Sequence, residues 1–108
     1  MTTFILVLMT ASTKIEAENI TRQLLDERLI ACANIIGPIS SLYWWNNKLE
    51  ESSELLVLMK SRKDLFEKLS SRIKGLHSYN VPEIIAVPIM EALPSYLNWI
   101  GRVIESRK

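Results

Sequence analysis

Several residue types are scarce in this chain of 108 residues. It contains one cysteine, one histidine and three glycines that stand far apart. A single cysteine excludes an internal disulfide, and the separated glycines exclude a glycine-rich phosphate loop. The longest apolar runs, such as residues 4–9, are far shorter than the roughly 20 residues of a membrane-spanning helix. We therefore predict a reduced, cytoplasmic protein with no membrane partner.

The net charge of the chain is also small. Thirteen basic and twelve acidic side chains leave a formal net charge of +1, which argues against the broad basic surface that binds nucleic acid. Hydrophobic residues make up 48% of the chain, enough to form a packed core. A chain of this length is predicted to form one domain, residues 1–108.

The hydrophobic patterns predict four strands and three helices. Thr13 and Glu16 have the spacing of a capping box at a helix start. Asn46-Asn47 is typical of a hairpin turn, because asparagine tolerates positive φ, and Gly37-Pro38 predicts a bend in the second strand. The predicted strands are residues 4–9, 30–45, 55–59 and 84–89, and the predicted helices are residues 13–28, residues 61–75 and a last helix from residue 95.

The order β-α-β-β-α-β followed by a helix predicts an α+β, ferredoxin-like sandwich with strand order 4-1-3-2. Pro88 agrees with an edge position for the fourth strand, since proline cannot donate to a β-ladder. The strands are apolar on both faces, although two helices cover only one face of such a sheet and the third is too short to cover the other. The uncovered face is expected to meet another copy of the chain, in an obligate oligomer.

Five short motifs follow one another along the chain, and as an ordered set they are specific. From about Phe4 to Val103 the sequence resembles the CutA family of divalent-cation tolerance proteins. The motifs are Ala31-Cys32-Ala33-Asn34-Ile35, the S-x-Y-x-W of Ser41, Tyr43 and Trp45, the pair Glu54 and Lys60, the H-x-Y-x-x-P-E of His77, Tyr79, Pro82 and Glu83, and the Y-L-x-W of Tyr96, Leu97 and Trp99.

The resemblance implies a tight homotrimer similar to the nitrogen-regulatory PII proteins, and a role in the response to copper and other divalent cations. The candidate metal ligands are His77, Met9 and Cys32, because imidazole, thioether and thiolate groups all bind copper. Some family members carry a cysteine at the position of Met9 and a second histidine at that of Leu76, so we predict weak, subunit-shared binding. Alternatively, His77 fixes the turn before the fourth strand through the backbone or Glu83, and the two sulfur residues pack in the core.

A second set of residues points to a small-ligand pocket at a subunit seam, as in a PII-like regulatory scaffold that binds an anion. Lys60 ends the third strand and Glu83 begins the fourth, and we expect these strands to point oppositely, so that the two residues meet only between copies. A structural network of ion pairs and hydrogen bonds is the alternative. The candidate ligand-binding residues are Lys60, Tyr79, Glu83, Tyr43, Trp45 and Trp99.

The sequence argues against two further function classes. The aromatic run Tyr43-Trp44-Trp45 could stack nucleobases, but the third strand lacks the aromatic and basic residues of RNA-binding sheets, so we predict that these rings anchor the hairpin on a neighbouring subunit. The chain has no nucleophile elbow, no H-E-x-x-H spacing, and no arginine in the loop after the first strand, where acylphosphatases of similar fold cradle an anion. We therefore predict that the protein is not an enzyme.

Overall fold

The computed structural model describes residues 3–105. A single 3-10 turn, Lys63–Leu65, joins the third strand to the second helix. The strands are β1 (Phe4–Ala11), β2 (Cys32–Trp45), β3 (Lys48–Arg62) and β4 (Ile84–Pro88), and the helices are α1 (Lys14–Asp26), α2 (Phe66–Leu76) and α3 (Pro94–Glu105).

The four strands form one antiparallel sheet in the order β2-β3-β1-β4. This confirms the predicted ferredoxin-like α+β order, and Pro88 lies on an edge strand as expected. The predicted relation of β3 to β4 was wrong: each runs antiparallel to β1, so the two point the same way. Lys60, near the end of β3, and Glu83, just before β4, nevertheless lie at opposite ends of the sheet.

The start of α1 is fixed by local hydrogen bonds that differ in part from a capping box. The Glu16 N–H donates to Thr13 Oγ1 over 3.1 Å, as predicted. The Glu16 carboxylate does not reach back to Thr13; it accepts hydrogen bonds from Ser12 Oγ and from the backbone N–H of Ser78, the latter over 2.7 Å. Glu16 therefore ties the first turn of α1 to the connection that follows α2.

Helices α1 and α2 cover one face of the sheet. Alternate residues of β1 and β3 point to this face because side chains alternate along a strand. Ser61, predicted to open the second helix, instead lies buried in β3 and donates from Oγ to the Leu29 carbonyl over 2.6 Å. The main core contains Ile5, Val7, Met9, Ala11, Ala17, Ile20, Leu24, Leu29, Ile30, Val57, Met59, Leu69 and Ile73.

The opposite face of the sheet, which we call the open face, stays half-buried or exposed over most of its area. Helix α3 lies at one end of it, where the Tyr96 hydroxyl is 3.3 Å from Cys32 Sγ. Ile85 is 49% exposed. The strand registers place Leu6, Leu8, Ile36, Leu56, Leu58, Ile85 and Val87 on this face.

Beyond the sheet, β2 and β3 continue together as a projecting hairpin, residues 40–53, which we call the arm. The turn at its tip has positive φ at Asn46 (51°) and Asn47 (62°), which confirms the predicted turn. A register shift between Ile36 and Ile39 adds one residue to β2, as Gly37-Pro38 predicted. β3 begins seven residues earlier than predicted because the polar stretch after Lys48 pairs with the aromatic end of β2.

Candidate functional site

The predicted ligand-binding residues separate into two groups, and the larger group lines one cleft. This cleft has a volume of about 550 Å³, which lies in the range of small-molecule pockets. It occupies the end of the open face where β1 ends, β4 begins and the arm leaves the sheet. Tyr43, Trp45, Tyr79 and Glu83 line it together with Glu54. The structure thus brings four of the six predicted residues together.

The S-x-Y-x-W spacing explains the aromatic wall of the cleft. Residues two apart on a strand point to the same face, so Ser41, Tyr43 and Trp45 share one face of the arm. Cross-strand pairing of Ile39 with Glu54 places Glu54 on that face too. The Tyr43 hydroxyl lies 3.2 Å from Ser52 Oγ, on the neighbouring strand of the arm.

Glu54 supplies a carboxylate that is almost out of solvent. The residue is 7% exposed, and its Oε2 accepts a hydrogen bond of 2.7 Å from the Tyr79 hydroxyl. Burial and the neighbouring Glu54 raise the pKa of Tyr79 far above its ordinary value, so the phenol stays protonated and donates at any physiological pH. A buried carboxylate is stable only with such compensating contacts.

The cleft has acidic character. Glu83 is a second carboxylate in its lining, and the lining contains no lysine or arginine. Among residues 3–105, neither Glu54 nor Glu83 forms an ion pair. The arrangement therefore leaves negative charge uncompensated within one chain.

His77 is held at the end of α2 by both of its ring nitrogens. The Tyr79 N–H donates to Nδ1 over 3.1 Å, so the proton of the neutral ring lies on Nε2, which donates to the Thr10 carbonyl over 2.8 Å. The side chain is fully buried, and Glu16 Oε2 lies 3.7 Å from Nδ1. The predicted contact of His77 with the backbone is present, but the neighbouring carboxylate belongs to Glu16 rather than Glu83.

The three predicted metal ligands do not form one cluster within the chain. Met9 is fully buried on the helix-covered face, whereas Cys32 lies on the open face beside Tyr96. Across residues 3–105 there is no group of three or more histidine, cysteine, aspartate or glutamate side chains arranged to hold a metal ion. Metal binding by His77, Met9 and Cys32 stays a prediction that requires more than one subunit.

Lys60 and Trp99 belong to the far end of the open face. Lys60 donates to Asn34 Oδ1 and pairs with Cys32 across the strands. Trp99 stacks on Tyr96 with ring centroids 5.6 Å apart. Lys60 and Glu54 are six positions apart on β3, a distance of roughly 20 Å.

Glu54 is absent from the ligand-binding residues predicted from the sequence, although it belongs to one of the family motifs. The signal that could have found it is a charged residue directly before the apolar run of β3, opposite an aromatic strand. Asn80 and Val81 also line the cleft. They follow Tyr79 in an irregular connection, where periodicity gives no indication of side-chain direction.

A second cleft, of about 480 Å³, lies between α1 and the end of α2. Its acidic residue, Glu16, already accepts hydrogen bonds from Ser12 and Ser78. Although burial opposes it, hydrogen bonding from Ser78 lowers the pKa of Glu16 below its ordinary value. The groups of this cleft thus hold α1 in place, and we assign it no ligand.

The sequence matches the family described as CutA1 divalent ion tolerance protein over residues 5–103. The divalent-cation tolerance protein CutA of Thermus thermophilus is 44% identical over 94 residues, which are 87% of this chain and 91% of the relative. The protein of the same name from Archaeoglobus fulgidus is 38% identical over 99 residues, 92% of this chain and 96% of the relative.

Solved structures give the same answer for the fold. The CutA1 structure from Thermus thermophilus superposes with a TM-score of 0.88 at 42% identity, covering 90% of this chain and 94% of the other. A structure from Archaeoglobus fulgidus, described as a periplasmic divalent cation tolerance protein CutA, has a TM-score of 0.89 at 38% identity and covers 96% and 99%. Within residues 3–105 no helix is long and apolar enough to cross a membrane. The chain belongs to the CutA1 divalent ion tolerance protein family.

Proposed function

We propose that the protein is a cytoplasmic homotrimer that contributes to divalent-cation tolerance by weak, subunit-shared binding of copper or another divalent cation, and that it is not an enzyme. The observation that carries the proposal is the open face, an apolar sheet surface that stays accessible in a single chain. Burial of apolar surface is worth about 25 cal/mol per Å², so covering the open face with another copy, which presents the same apolar surface, would stabilise the assembly.

The arm supports the same assembly. It projects from the sheet and exposes Leu42, Trp44 and Leu49, with Trp44 73% exposed. A monomer gains nothing from holding large apolar side chains in water, whereas an interface uses them as anchors. The number of copies, three, comes from the resemblance to PII-like trimers. Light scattering in dilute buffer is expected to give three times the chain mass of 12.4 kDa, and a stable monomer would contradict the assembly.

Metal binding by His77 is expected to be weak for a physical reason. Coordination through Nδ1 has to displace the Tyr79 N–H, and coordination through Nε2 has to displace the proton shared with Thr10. Losing one buried hydrogen bond costs about 1–3 kcal/mol, which lowers affinity by roughly fivefold to 150-fold. Met9 or Cys32 of another copy would have to complete the site.

A calorimetric titration of Cu(II) into the metal-free trimer tests this proposal. Binding in the micromolar range that disappears in both His77→Ala and His77→Gln, while the trimer mass is unchanged, would make His77 a ligand. His77→Gln is included because its amide can still donate to the Thr10 carbonyl and preserve the local structure. Binding that is unchanged in both variants would contradict a role for His77. Localisation is tested separately by fractionation of cells.

The second candidate is a PII-like regulatory scaffold that binds a small ligand in the cleft lined by Tyr43, Trp45, Glu54, Tyr79 and Glu83, which we call the acidic cleft. Its size and its aromatic wall favour this candidate. The anionic ligand predicted from the sequence depends on Lys60, which would have to come from a neighbouring copy. Thermal unfolding in the presence of a chelator should then show ligand-dependent stabilisation without metal.

A further inference from the structure

The acidic cleft combines three features that select for one class of ligand. The first is charge, because Glu54 and Glu83 line the same cavity and no lysine or arginine accompanies them. The second is burial, because Glu54 is only 7% exposed. The attraction between a carboxylate and a cation grows as water is excluded, so Glu54 is the stronger of the two anchors.

The third feature is the aromatic wall. Tyr43 and Trp45 on the arm and Tyr79 on the connection after α2 line the cavity. The π surfaces of such rings attract cations and disfavour anions. Tyr79 donates its hydroxyl to Glu54 Oε2, which holds that carboxylate in place and leaves Oε1, which forms no hydrogen bond within residues 3–105, to meet a ligand.

These features together favour an organic cation over a metal ion. A cavity of about 550 Å³ is far larger than a single ion requires, and five of its ten lining residues are aromatic or aliphatic. No metal-ligating group of three or more side chains occurs in the described part of the chain. One Glu54 oxygen is, moreover, already bonded to Tyr79.

We propose that the acidic cleft binds an alkylammonium or guanidinium group between the carboxylates of Glu54 and Glu83 and the rings of Tyr43, Trp45 and Tyr79. This inference rests on the ligand-binding candidate above and names the chemical class of its ligand as cationic. The group is supplied either by a small amine from solution or by a lysine or arginine of a second copy in the trimer, and the experiment below separates these sources.

The test uses the full chain, assembled and free of metal, titrated at neutral pH with n-butylammonium and n-butylguanidinium. Butyrate, of similar length and opposite charge, serves as the matched probe. Amide chemical shifts of Tyr79, Asn80 and Val81 in NMR spectra report on the cleft. We expect the two cations to shift these resonances at concentrations at least tenfold lower than butyrate does.

Two isosteric variants assign the binding to the carboxylates. Glu54→Gln keeps an acceptor for the Tyr79 hydroxyl but removes the charge, and Glu83→Gln removes the second charge. Each substitution is expected to lower the affinity of the cleft for the cations by about tenfold or more. A loss of 1.4 kcal/mol in attraction corresponds to a factor of ten in affinity. Glu67→Gln, on α2 away from the cleft, is the control and should leave the titration unchanged.

The second source predicts a different pattern. If a lysine or arginine of another copy fills the cleft, the probes do not shift the cleft resonances of the assembled wild-type protein. Glu54→Gln and Glu83→Gln then accelerate subunit dissociation on dilution, and Glu67→Gln does not. This pattern would support the same chemistry and assign its source to the trimer.

The remaining outcomes overturn the inference. Binding of butyrate more tightly than the cations would exclude a cationic ligand while leaving the ligand-binding scaffold in place. If no probe shifts the resonances, and if subunits of both cleft variants dissociate at the wild-type rate, the cleft is not a ligand site. Either result would leave the trimer mass and the copper titration as independent tests of the metal-tolerance proposal.

Discussion

Single residues in this protein are constrained mainly by hydrogen bonds that cross between elements. His77 joins the end of α2 to the Thr10 carbonyl at the end of β1, and it orders the Tyr79 N–H two residues later. Tyr79 in turn donates to Glu54 on β3. The H-x-Y motif therefore acts as a connector that positions one wall of the acidic cleft, whatever binds there.

Replacement of His77 tests this positioning at the residue scale. His77→Ala leaves the buried Thr10 carbonyl and the Tyr79 N–H without their partner, and we expect a loss of about 2–4 kcal/mol in the free energy of unfolding. His77→Gln should lose less, because its side-chain amide can donate to Thr10. Urea unfolding at one fixed protein concentration measures both, and equal stability of wild type and His77→Ala would refute the connector role.

A small number of hydrogen bonds and ion pairs between elements hold the helices in place, in addition to core packing. Glu16 links the first turn of α1 to Ser78. Arg72 on α2 donates to the Glu27 carboxylate beyond the end of α1 over 2.9 Å. Hydrogen bonding from Arg72 lowers the pKa of Glu27, as hydrogen bonding from Ser78 does for Glu16 against the effect of burial. Both carboxylates are thus more acidic in the folded chain than in the unfolded one.

The lowered pKa of Glu16 predicts a pH dependence at the scale of α1. A group whose folded pKa lies below its unfolded value stabilises the fold above the unfolded value, which is ordinarily 4.5, and loses this contribution as the pH falls through the folded pKa. Glu16→Gln should therefore be less stable than wild type at about pH 7, and the difference should narrow as the pH falls to about 3.

Urea unfolding of the two proteins at both pH values measures this difference. The control is Glu91→Gln, an exposed carboxylate in the connection before α3, which should track wild type at both pH values. A difference between wild type and Glu16→Gln that stays constant with pH would show that the Glu16 charge does not stabilise α1.

At the scale of the whole molecule, the sheet has one face covered by helices and one face left open. Helices α1 and α2 seal one side, and the open face together with the arm leaves apolar side chains in contact with water. A single chain also divides the predicted ligand residues, with Lys60 and Trp99 at one end of this face and the acidic cleft at the other. Assembly would change the surroundings of both groups, because both lie on the surface that we propose to be shared between copies.

A charge on the open face tests assembly. Ile85→Lys places an ammonium on that face, where burial against another copy would leave it without a partner, and we expect light scattering to show dissociation of the trimer. Ile15→Lys is the matched control, since Ile15 is 73% exposed on α1, on the other side of the sheet. Retention of the trimer in Ile85→Lys would exclude the open face as the interface.

The sequence by itself determined the strand order, the hairpin turn at Asn46-Asn47 and the edge position of β4. The strand order follows from the order of the elements and the handedness of crossover connections. The turn and the edge position follow from local rules, because asparagine accepts positive φ and proline cannot donate to a ladder. It also indicated a sheet with two apolar faces and assembled the motifs that identify the family. Each of these properties can be read from patterns along the chain, without knowing which distant side chains come into contact.

Only the tertiary structure decided which side chains share a site. Whether Glu54 meets Tyr79, which carboxylate approaches His77, and how far Lys60 lies from Glu83 depend on strand register and on the path of the irregular connection after α2. The bulge between Ile36 and Ile39 sets which face of the arm carries Tyr43 and Trp45, and a one-residue change in register would move them to the other face. Spacing along the chain cannot fix such contacts, because they form between residues far apart in sequence.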